Sequence, residues 1–390
     1  MITGDSAYIK KINRRIILEN IIKHGMISRA DLSKITNLNK ATISAQIADL
    51  LEEELVCETQ QVNPTVGRRP IMVSINAHAG YVLGIDLNYK QIEYNLSDLQ
   101  GNPVLNHIEQ LQTDEYEEII NILMTHIKKY NKMCLDTRFG LVNVVIGVHG
   151  TVDKNESVNF VTEYQWYNKN LKADLKKKLD LNIHIENNAN LSAYAEKVYK
   201  HYSCQHLISI EFSPGVGAGI IVDGTIQKGY HGYAGEVGHM ILYPRGKPCK
   251  CGNKGCWGLY TSTKSFLSKL SNQLNQTNLT MKDVKKLINE DDAFIQDHID
   301  PYIFDLSIGL NNIINSYNPE TLVLNSEILQ ITPNALEKIK HYLSSSVSHY
   351  CKISLSNFGN KATIMGACAL AIQRFLEVPE LILTNLEETN

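Results

Sequence analysis

The chain has 390 residues, of which 43 % are hydrophobic and 20 % are charged, and its net charge at pH 7 is −3. These values are typical of a globular protein of about two to three domains, and they give no argument for nucleic-acid binding by the chain as a whole. No segment approaches the run of about 18 apolar residues that spans a membrane, and the first residues lack the apolar core of a signal peptide, so we expect a cytoplasmic protein with no membrane partner.

The N-terminal segment predicts two helices joined by a short turn. Isoleucines spaced four residues apart indicate a helix over residues 12–24. Ser28 is a suitable N-cap for a second helix over residues 29–36, because its hydroxyl can accept a hydrogen bond from a backbone N–H of the first turn. We expect Leu32 and Ile35 to point inward from this second helix.

A third helix is predicted after a tight connection. Asn39 is its expected N-cap, and an apolar stripe beginning at Ile43 continues to about residue 54. A short helix, a tight turn and a longer helix are the pattern of a helix-turn-helix, whose last helix places its N-terminal residues along base edges in the major groove. The residues that we expect to contact DNA here are Ser28, Arg29, Asn39, Lys40, Ala41, Thr42 and Ser44.

A predicted hairpin completes this N-terminal segment. Strands over residues 55–58 and 71–75 flank a loop that ends in Gly67-Arg68-Arg69-Pro70. This is the pattern of a winged helix, and Arg68 and Arg69 at the tip suit a narrow minor groove or a phosphate. The alternative is a three-helix interaction domain with an arginine loop. Helix spacing, caps and wing agree with one another and favour DNA binding.

The pattern of elements changes after residue 80. Apolar strands are predicted over residues 81–87, 91–96 and 103–108, with Gly101-Asn102 as a hairpin turn. An amphipathic helix over residues 115–129 and a buried strand over residues 141–148 follow. A second set of strands begins at residues 207–212. Because strands, hairpins and helices occur twice, we expect two α/β lobes with a cleft between them, and such clefts are the usual ligand sites.

Three polar features are candidates for that cleft. The glycine-rich turn of residues 213–219 could accommodate a phosphate, although hairpins often need glycine for their own sake. The run Glu186-Asn187-Asn188-Ala189-Asn190 offers a carboxylate and amides for the hydroxyls of a polyol, and the alternative is helix capping by Asn188 or Asn190. The third feature is the pair Glu236 and His239.

One histidine and three cysteines lie within eighteen residues of sequence: His239, Cys249, Cys251 and Cys256. Zinc prefers four tetrahedral nitrogen or sulfur ligands, and Cys3His is a common structural set. The Cys-x-Cys and Cys-x4-Cys spacings let one folded loop surround a single ion. Free buried cysteines or a disulfide are the alternatives, and both fit poorly with such a cluster in a reducing compartment. The sequence therefore predicts a structural Zn²⁺ site.

Taken together, these residues resemble the ROK family of sugar kinases and sugar-responsive repressors. The resemblance runs from Asn39-Lys40-Ala41-Thr42-Ile43-Ser44 and the Arg-Arg wing through the zinc loop to Gly359-Asn360-Lys361-Ala362. It implies an α/β fold in which a winged helix-turn-helix, residues 1–78, precedes a two-lobed actin-like domain of the ribonuclease-H type, residues 79–390, with its zinc loop at residues 239–256.

Departures from the kinases of that family lie on the nucleotide side. Where those kinases hold Asp-x-Gly-Gly-Thr, Asp86 is followed by Leu87-Asn88-Tyr89-Lys90, and Pro214 replaces a threonine of the second phosphate turn. Leu324-Asn325-Ser326 replaces a motif with paired glycines. Asn188 stands where the family has its catalytic aspartate, and an amide cannot accept a proton at neutral pH. The resemblance therefore implies a protein that is not an enzyme.

On the sugar side the resemblance is incomplete. Asn187, Glu236 and His239 match sugar contacts of the family, and with Asn188 they form the effector site that the resemblance implies. A metal on one nitrogen of His239 would hold the ring in place for hydrogen bonding. Gly258 stands where the family has a further glutamate, so two charged acceptors for sugar hydroxyls are missing.

The resulting hypothesis is a homodimeric, zinc-stabilised repressor of a carbohydrate operon. Within the family the likeness is greatest to the xylose-responsive repressors, which makes operator DNA the macromolecular partner and D-xylose the first candidate for the effector. Two alternatives stay open. One is a residual sugar kinase with a regulatory head, and the other is a DNA-binding regulator or protein-docking module that answers to no sugar.

Overall fold

The computed structural model describes residues 6–60, 70–277, 279–290, 293–350 and 352–383. The described residues fold into two compact units. The first unit is formed by the chain up to Asn188, by residues 198–200 and by the chain from Ile364 onward, and the second by residues 189–197 and 201–363. The predicted domain boundary at residue 78 falls inside the first unit and stays a prediction.

The N-terminal part of the first unit has the helices and strands of a winged helix. The three short strands form one sheet in the order β1-β3-β2, so that β1, between the first two helices, pairs with the second strand of the hairpin. The elements are α1 Ser6–His24, β1 Ile27–Ser28, α2 Arg29–Thr36, α3 Lys40–Glu52, β2 Val56–Gln60 and β3 Ile71–Ile75.

Both predicted helix caps are confirmed. The Ser28 hydroxyl accepts a hydrogen bond from the Asp31 backbone N–H at 3.1 Å, and the Asn39 side chain accepts one from Thr42 at 2.8 Å. Asn37 ends α2 in the left-handed region with a φ of 57°, which asparagine tolerates better than most residues. Three residues thus separate α2 from α3, as a helix-turn-helix requires.

The core of this segment differs from expectation at one position. Leu32 of α2 is fully buried, as are Ile43, Ile47 and Leu50 of α3. Ile35, which we expected to point inward, is half exposed. Ile35 lies one turn after Leu32 on nearly the same face, so neighbouring elements cover α2 around Leu32 and leave its last turn partly exposed.

The rest of the first unit is built on a five-stranded sheet in the order β11-β7-β4-β5-β6. The strands β4, β7 and β11 are parallel, whereas β5 and β6 extend β4 as antiparallel hairpins. The elements are β4 Tyr81–Asn88, β5 Gln91–Asp98, β6 Pro103–Gln110, α4 Tyr116–Met133, β7 Leu141–Val148, β8 Thr151–Val152, β9 Val158–Val161, β10 Trp166–Lys169, α5 Leu171–Lys176 and β11 Ile183–Asn187. The helix α6 Asn188–Tyr199 follows, and its residues 189–197 belong to the second unit.

The second unit repeats that arrangement with a sheet in the order β14-β13-β12-β15-β16. Its strands β12, β15 and β16 are parallel, and β13 and β14 extend β12 as antiparallel hairpins. The elements are β12 Leu207–Phe212, β13 Val216–Val222, β14 Thr225–Ile226, α7 Gly258–Thr261, α8 Thr263–Leu274, α9 Met281–Asn289, α10 Ala293–Tyr317, β15 Thr321–Ser326, α11 Glu327–Ile331, α12 Ala335–Tyr342 and β16 Lys352–Leu355. The last helix, α13 Ala362–Leu376, belongs to the first unit from Ile364 onward.

The repeated topology confirms the expectation of two α/β lobes. The central parallel strand of each sheet is buried, as all eight residues of β7 and all six of β15 illustrate. Parallel strands are buried in this way because both faces of such a sheet are covered by other elements. Among the described residues, no helix combines the length and the apolar character that a membrane crossing requires.

Candidate metal centre and DNA-binding surface

The second unit brings the four predicted metal ligands together. The donor atoms of His239, Cys249, Cys251 and Cys256 all lie within 4.8 Å of one another. The sulfur atoms of Cys251 and Cys256 are 3.7 Å apart, and the Cys249 sulfur is 3.7 Å from Nδ1 of His239. These four residues form what is called the zinc cluster below.

The dimensions of the zinc cluster fit one tetrahedral ion. With Zn–S bonds of about 2.3 Å and Zn–N bonds of about 2.0 to 2.1 Å, a tetrahedron has sulfur–sulfur edges of about 3.8 Å and sulfur–nitrogen edges of about 3.6 Å. Both measured distances, each 3.7 Å, lie within about 0.1 Å of these edges. A disulfide requires sulfurs about 2.05 Å apart. The seven described cysteines are all free, so the donor set and its geometry are compatible with zinc.

Glycines allow the loop to fold this tightly. Gly255 has a φ of 77°, and a Cβ at this position would lie 1.8 Å from the carbonyl oxygen of Tyr243. Backbone bridges join Ile241 to Cys256 and Pro248 to Lys254 on either side of this turn. Backbone pairing therefore folds the loop between the cysteines, and it brings the thiols together without relying on the metal alone.

A buried tryptophan anchors the end of the loop to the core of the second unit. Trp257 is fully buried, and its indole N–H donates to the carbonyl oxygen of Asp305 at 3.0 Å. The ring occupies the space beside Gly309 of α10, where a Cβ would come within 2.1 Å of it. Because Trp257 directly follows the predicted ligand Cys256, this packing holds the zinc cluster close to α10.

Glu236 lies beside the zinc cluster, on the other side of the His239 ring. Its Oε2 atom is 3.9 Å from Nε2 of His239, whereas Nδ1 of that ring faces the cysteines. Partial burial raises the pKa of the Glu236 carboxyl and lowers the pKa of His239. A neutral imidazole is the form that can bind a metal through one nitrogen. The ring thus has one nitrogen for an ion and one directed toward Glu236.

The remaining predicted effector residues lie in the first unit, at the end of β11. The Asn187 side-chain amide donates to the carbonyl oxygen of Gly150 at 2.9 Å, and its backbone N–H donates to Glu186 at 3.0 Å. Asn188 is buried and begins α6. The end of a parallel strand that leads into a helix is a common place for ligand contacts in α/β sheets.

The strand that begins the first lobe ends in a tight hairpin rather than a glycine-rich turn. Asp86 is buried and lies 2.8 Å from Nε2 of His149. The two-residue loop after it is Tyr89-Lys90, in which Lys90 has a φ of 67° and the Tyr89 ring packs edge-on against Tyr164 at 5.8 Å. The Asp86 carboxylate is thus engaged by a histidine, and the loop lacks the glycines that would let a phosphate approach the backbone closely.

A buried carboxylate that the sequence analysis did not identify supports β11. Glu156 lies 2.8 Å from the Lys172 ammonium, 2.9 Å from the Arg374 guanidinium and 3.1 Å from Nδ1 of His184 in β11. Burial opposes ionisation of Glu156, but the contacts with His184, Lys172 and Arg374 outweigh it and hold the pKa far below the usual 4.5. No local motif signals this role, because the partners are distant in sequence.

Replacing Glu156 by glutamine is expected to destabilise the protein by about 3 to 5 kcal/mol at pH 7, because two cations would lose their buried partner. Since the folded-state pKa is depressed, this stabilisation is present above the unfolded pKa of 4.5 and is lost as pH falls below it. Urea unfolding at pH 7 and pH 4 measures the effect. A difference between wild type and E156Q that does not shrink at pH 4 would contradict this account.

The surface predicted to contact DNA is formed by the start of α3. Asn39, Lys40, Ala41 and Ser44 are exposed, and Thr42 is half-buried. Ser28 is buried, and its hydroxyl donates a hydrogen bond to the Asp31 carboxylate. Arg29 forms an ion pair with Glu58 of β2 at 2.7 Å. The structure thus gives Ser28 and Arg29 local partners of their own. Arg68 and Arg69 of the predicted wing lie outside the described residues.

Comparison with known proteins identifies the family. The model of the ROK family matches residues 82–374. The chain belongs to the ROK family. One relative of this chain is the xylose repressor of Bacillus spizizenii. The two proteins are 34 % identical over 385 residues, which cover 97 % of this chain and 99 % of that protein.

Solved ROK structures agree with the fold described above. The crystal structure of a ROK-family transcriptional regulator, a homologue of the Escherichia coli MLC protein, is 25 % identical and superposes with a TM-score of 0.81 over 94 % of this chain and 96 % of that one. A ROK glucokinase from Streptomyces griseus in complex with glucose and AMPPNP is 21 % identical, with a TM-score of 0.66 over 75 % of this chain and all of the kinase. The kinase likeness shows the shared fold alone.

Proposed function

We propose that this ROK protein is a zinc-stabilised transcriptional repressor of a carbohydrate operon, most directly one for xylose utilisation. The observation that carries the proposal is the capped helix-turn-helix with exposed residues at the start of α3, in a chain that matches a xylose repressor over almost its whole length. A homodimer would place one such head on each half of a pseudo-palindromic operator.

DNA recognition in this proposal depends on α3 and the predicted wing. Lys40 is an exposed cation at the start of α3, where it can pair with phosphate, and the small side chains of Ala41 and Ser44 leave room for base edges. The wing arginines, Arg68 and Arg69, would add contacts to phosphate or to the minor groove. Ser28 and Arg29 would act mainly by positioning α2 and β2.

We propose that the zinc cluster holds a structural Zn²⁺ ion. A bound ion would supply rigidity, with no open position for catalysis, because four protein ligands close a tetrahedral site. Nδ1 of His239 would bind the ion, and Nε2 would be left to hydrogen-bond a sugar hydroxyl beside Glu236. The effector residues proposed are Asn187, Asn188, Glu236 and His239.

Several observations support a regulator rather than a kinase. Asn188 offers no carboxylate to act as general base, and loss of such a base costs about two to four orders of magnitude in rate. The hairpin after Asp86 presents Tyr89 and Lys90 instead of glycines, and Pro214 lacks a backbone donor. Asn325, near the end of β15, already donates a hydrogen bond to Glu211 at 2.9 Å.

A contiguous set of contacts within the first unit suggests how effector binding could reach the DNA-binding segment. Glu156 joins His184 of β11 to Arg374 of α13. Just beyond α13, the carbonyl oxygen of Glu377 accepts a hydrogen bond from Arg15 of α1 at 2.7 Å. We expect E156Q to weaken the sugar-induced change in operator affinity, which for such coupling is typically about 5- to 150-fold.

The proposed function is tested by fluorescence anisotropy with candidate operators, with and without D-xylose. Sequence-selective binding that D-xylose weakens is the expected result. Absence of selective binding at moderate salt would overturn the repressor proposal. Selective binding that no pentose or hexose changes would identify an effector-independent regulator, and sugar-dependent ATP turnover above background would identify a residual kinase.

Replacing Glu236 by glutamine is expected to weaken sugar binding about tenfold or more, because a hydrogen bond to a charged acceptor contributes about 1.5 to 3 kcal/mol. Isothermal titration calorimetry with D-xylose measures the change. Glu337→Gln, an exposed acid on α12, is the matched control and should bind as the wild type does. Equal affinity in E236Q and wild type would remove Glu236 from the effector site.

A further inference from the structure

Three metal-ligating side chains outside the zinc cluster lie together in the first unit. His107 and Glu109 are two residues apart on β6, so both side chains lie on one face of the sheet. His126 of α4 lies beside them, and the donor atoms of the three residues are all within 4.8 Å of one another. We propose that this His-Glu-His trio is a second metal site, which takes a divalent transition-metal ion such as Zn²⁺.

The distances within the trio match those around a metal ion. Nε2 of His107 is 3.3 Å from Oε2 of Glu109, and Nε2 of His126 is 3.6 Å from the same oxygen. Zinc bonds to imidazole nitrogen and carboxylate oxygen of about 2.0 to 2.2 Å give ligand–ligand edges of about 3.3 to 3.6 Å in a tetrahedron. The distance from each imidazole nitrogen to the carboxylate oxygen therefore matches the distance expected if all three bind one ion.

Aromatic packing holds the two imidazoles in position. The ring of Tyr94 on β5, which is fully buried, stacks on His126 with centroids 4.6 Å apart and lies 6.1 Å from His107. The two imidazole rings are stacked at 5.1 Å. Ligands that are fixed before the ion arrives lose little conformational freedom on binding, so this packing favours affinity.

The trio has the ligand types and access of an open site. Two histidines and one carboxylate suit zinc, copper and nickel rather than magnesium or calcium. The side chains of His107 and Glu109 are 42 % and 38 % exposed, so an ion can enter from solvent and keep water as a further ligand.

An ion at the trio would join α4 to β6, the last strand of its sheet. The strand has hydrogen bonds to β5 on one side, and its residues are mostly exposed. A metal bridge from His107 and Glu109 to His126 would hold this strand against the helix. Ion binding should therefore stabilise the folded protein, since any ligand that binds only the folded state does so.

The test is a calorimetric titration of Zn²⁺ into the full-length protein after the tightly held metal has been counted by elemental analysis. We expect a second equivalent to bind in the micromolar range and to raise the melting temperature. In His107→Ala its affinity should fall by more than the roughly 10- to 100-fold that loss of an outer hydrogen-bond partner costs. Glu109→Gln should behave in the same way.

The matched control is His206→Ala. His206 is also an exposed histidine beside one carboxylate, with Nε2 3.7 Å from Asp223, and the pair is not part of a three-ligand group among the described residues. This variant should keep the second equivalent. A Co²⁺-loaded second site should give a spectrum without thiolate charge-transfer bands, unlike the zinc cluster. A titration that ends without a second equivalent, or equal affinity in H107A and wild type, would overturn the proposal.

Discussion

A Cys251→Ser variant is expected to lose its tightly held metal and to melt about 8 to 16 °C below the wild-type protein. A tightly bound ion stabilises the folded state by about 4 kcal/mol when its free concentration is a thousand times its dissociation constant. In domains of about 150 to 250 residues, each kcal/mol shifts the melting temperature by about 2 to 4 °C. Elemental analysis and thermal unfolding followed by circular dichroism measure both effects.

The lower melting temperature of C251S should result from the loss of one metal ligand. Serine is close to cysteine in size, but its neutral hydroxyl is a poor ligand for zinc, so the change removes a donor with little change in packing. Cys57→Ser is the matched control, because Cys57 lies in β2 with its sulfur 3.3 Å from the Ser74 hydroxyl. Wild-type protein stripped by a chelator should melt like C251S. Full metal content in C251S would contradict the assignment of the ligands.

A Lys40→Glu variant is expected to lose about 10- to 100-fold in operator affinity. The change removes a cation from the start of α3 and places a carboxylate where the proposal puts a DNA phosphate. Loss of one phosphate contact should also reduce the slope of log affinity against log salt concentration by about one. Anisotropy at several salt concentrations, with specific and non-specific DNA, measures both quantities.

Lys128→Glu provides the control for net charge. Lys128 is an exposed residue of α4, outside the predicted winged helix, and its reversal changes the total charge by the same amount. We expect K128E to bind operator DNA nearly as the wild type does. If K40E and K128E weaken binding equally, the start of α3 is not the surface that meets DNA.

Local signals in the sequence were sufficient to predict most elements from α1 to β7, and also the strand β12. The caps at Ser28 and Asn39 depend on hydrogen bonds between residues three apart, so they form wherever the helix forms. The strands β7 and β12 are rich in branched apolar residues, and both were predicted with the bounds that the structure has. The start of α1 at Ser6 was missed, because the apolar pattern begins only at Ile12.

Exposure was harder to predict than secondary structure. Ile35 has the spacing of an inward residue on α2 but is half exposed, whereas Leu32, one turn earlier, is fully buried. Spacing identifies the face of a helix on which a residue lies. Only the packing of neighbouring elements decides how wide a face is covered.

The composition of the zinc cluster could be predicted from sequence because its ligands lie within eighteen residues. The sequence could not predict which nitrogen of His239 faces the thiols. In the structure it is Nδ1, with Nε2 toward Glu236, because the ring follows the short turn of residues 237–239. That orientation is what allows the proposed site to use the same imidazole for a metal and for a sugar.

By itself, the sequence determined the family, the helix caps and the four metal-ligand candidates, since each depends on residues close together in the chain. The tertiary structure alone decided which distant side chains meet. Glu156 contacts Lys172, His184 and Arg374. In the trio, His126 of α4 lies beside Glu109 of β6. The partners in both groups are joined by folding across separate elements, and no spacing rule along the chain connects residues in this way.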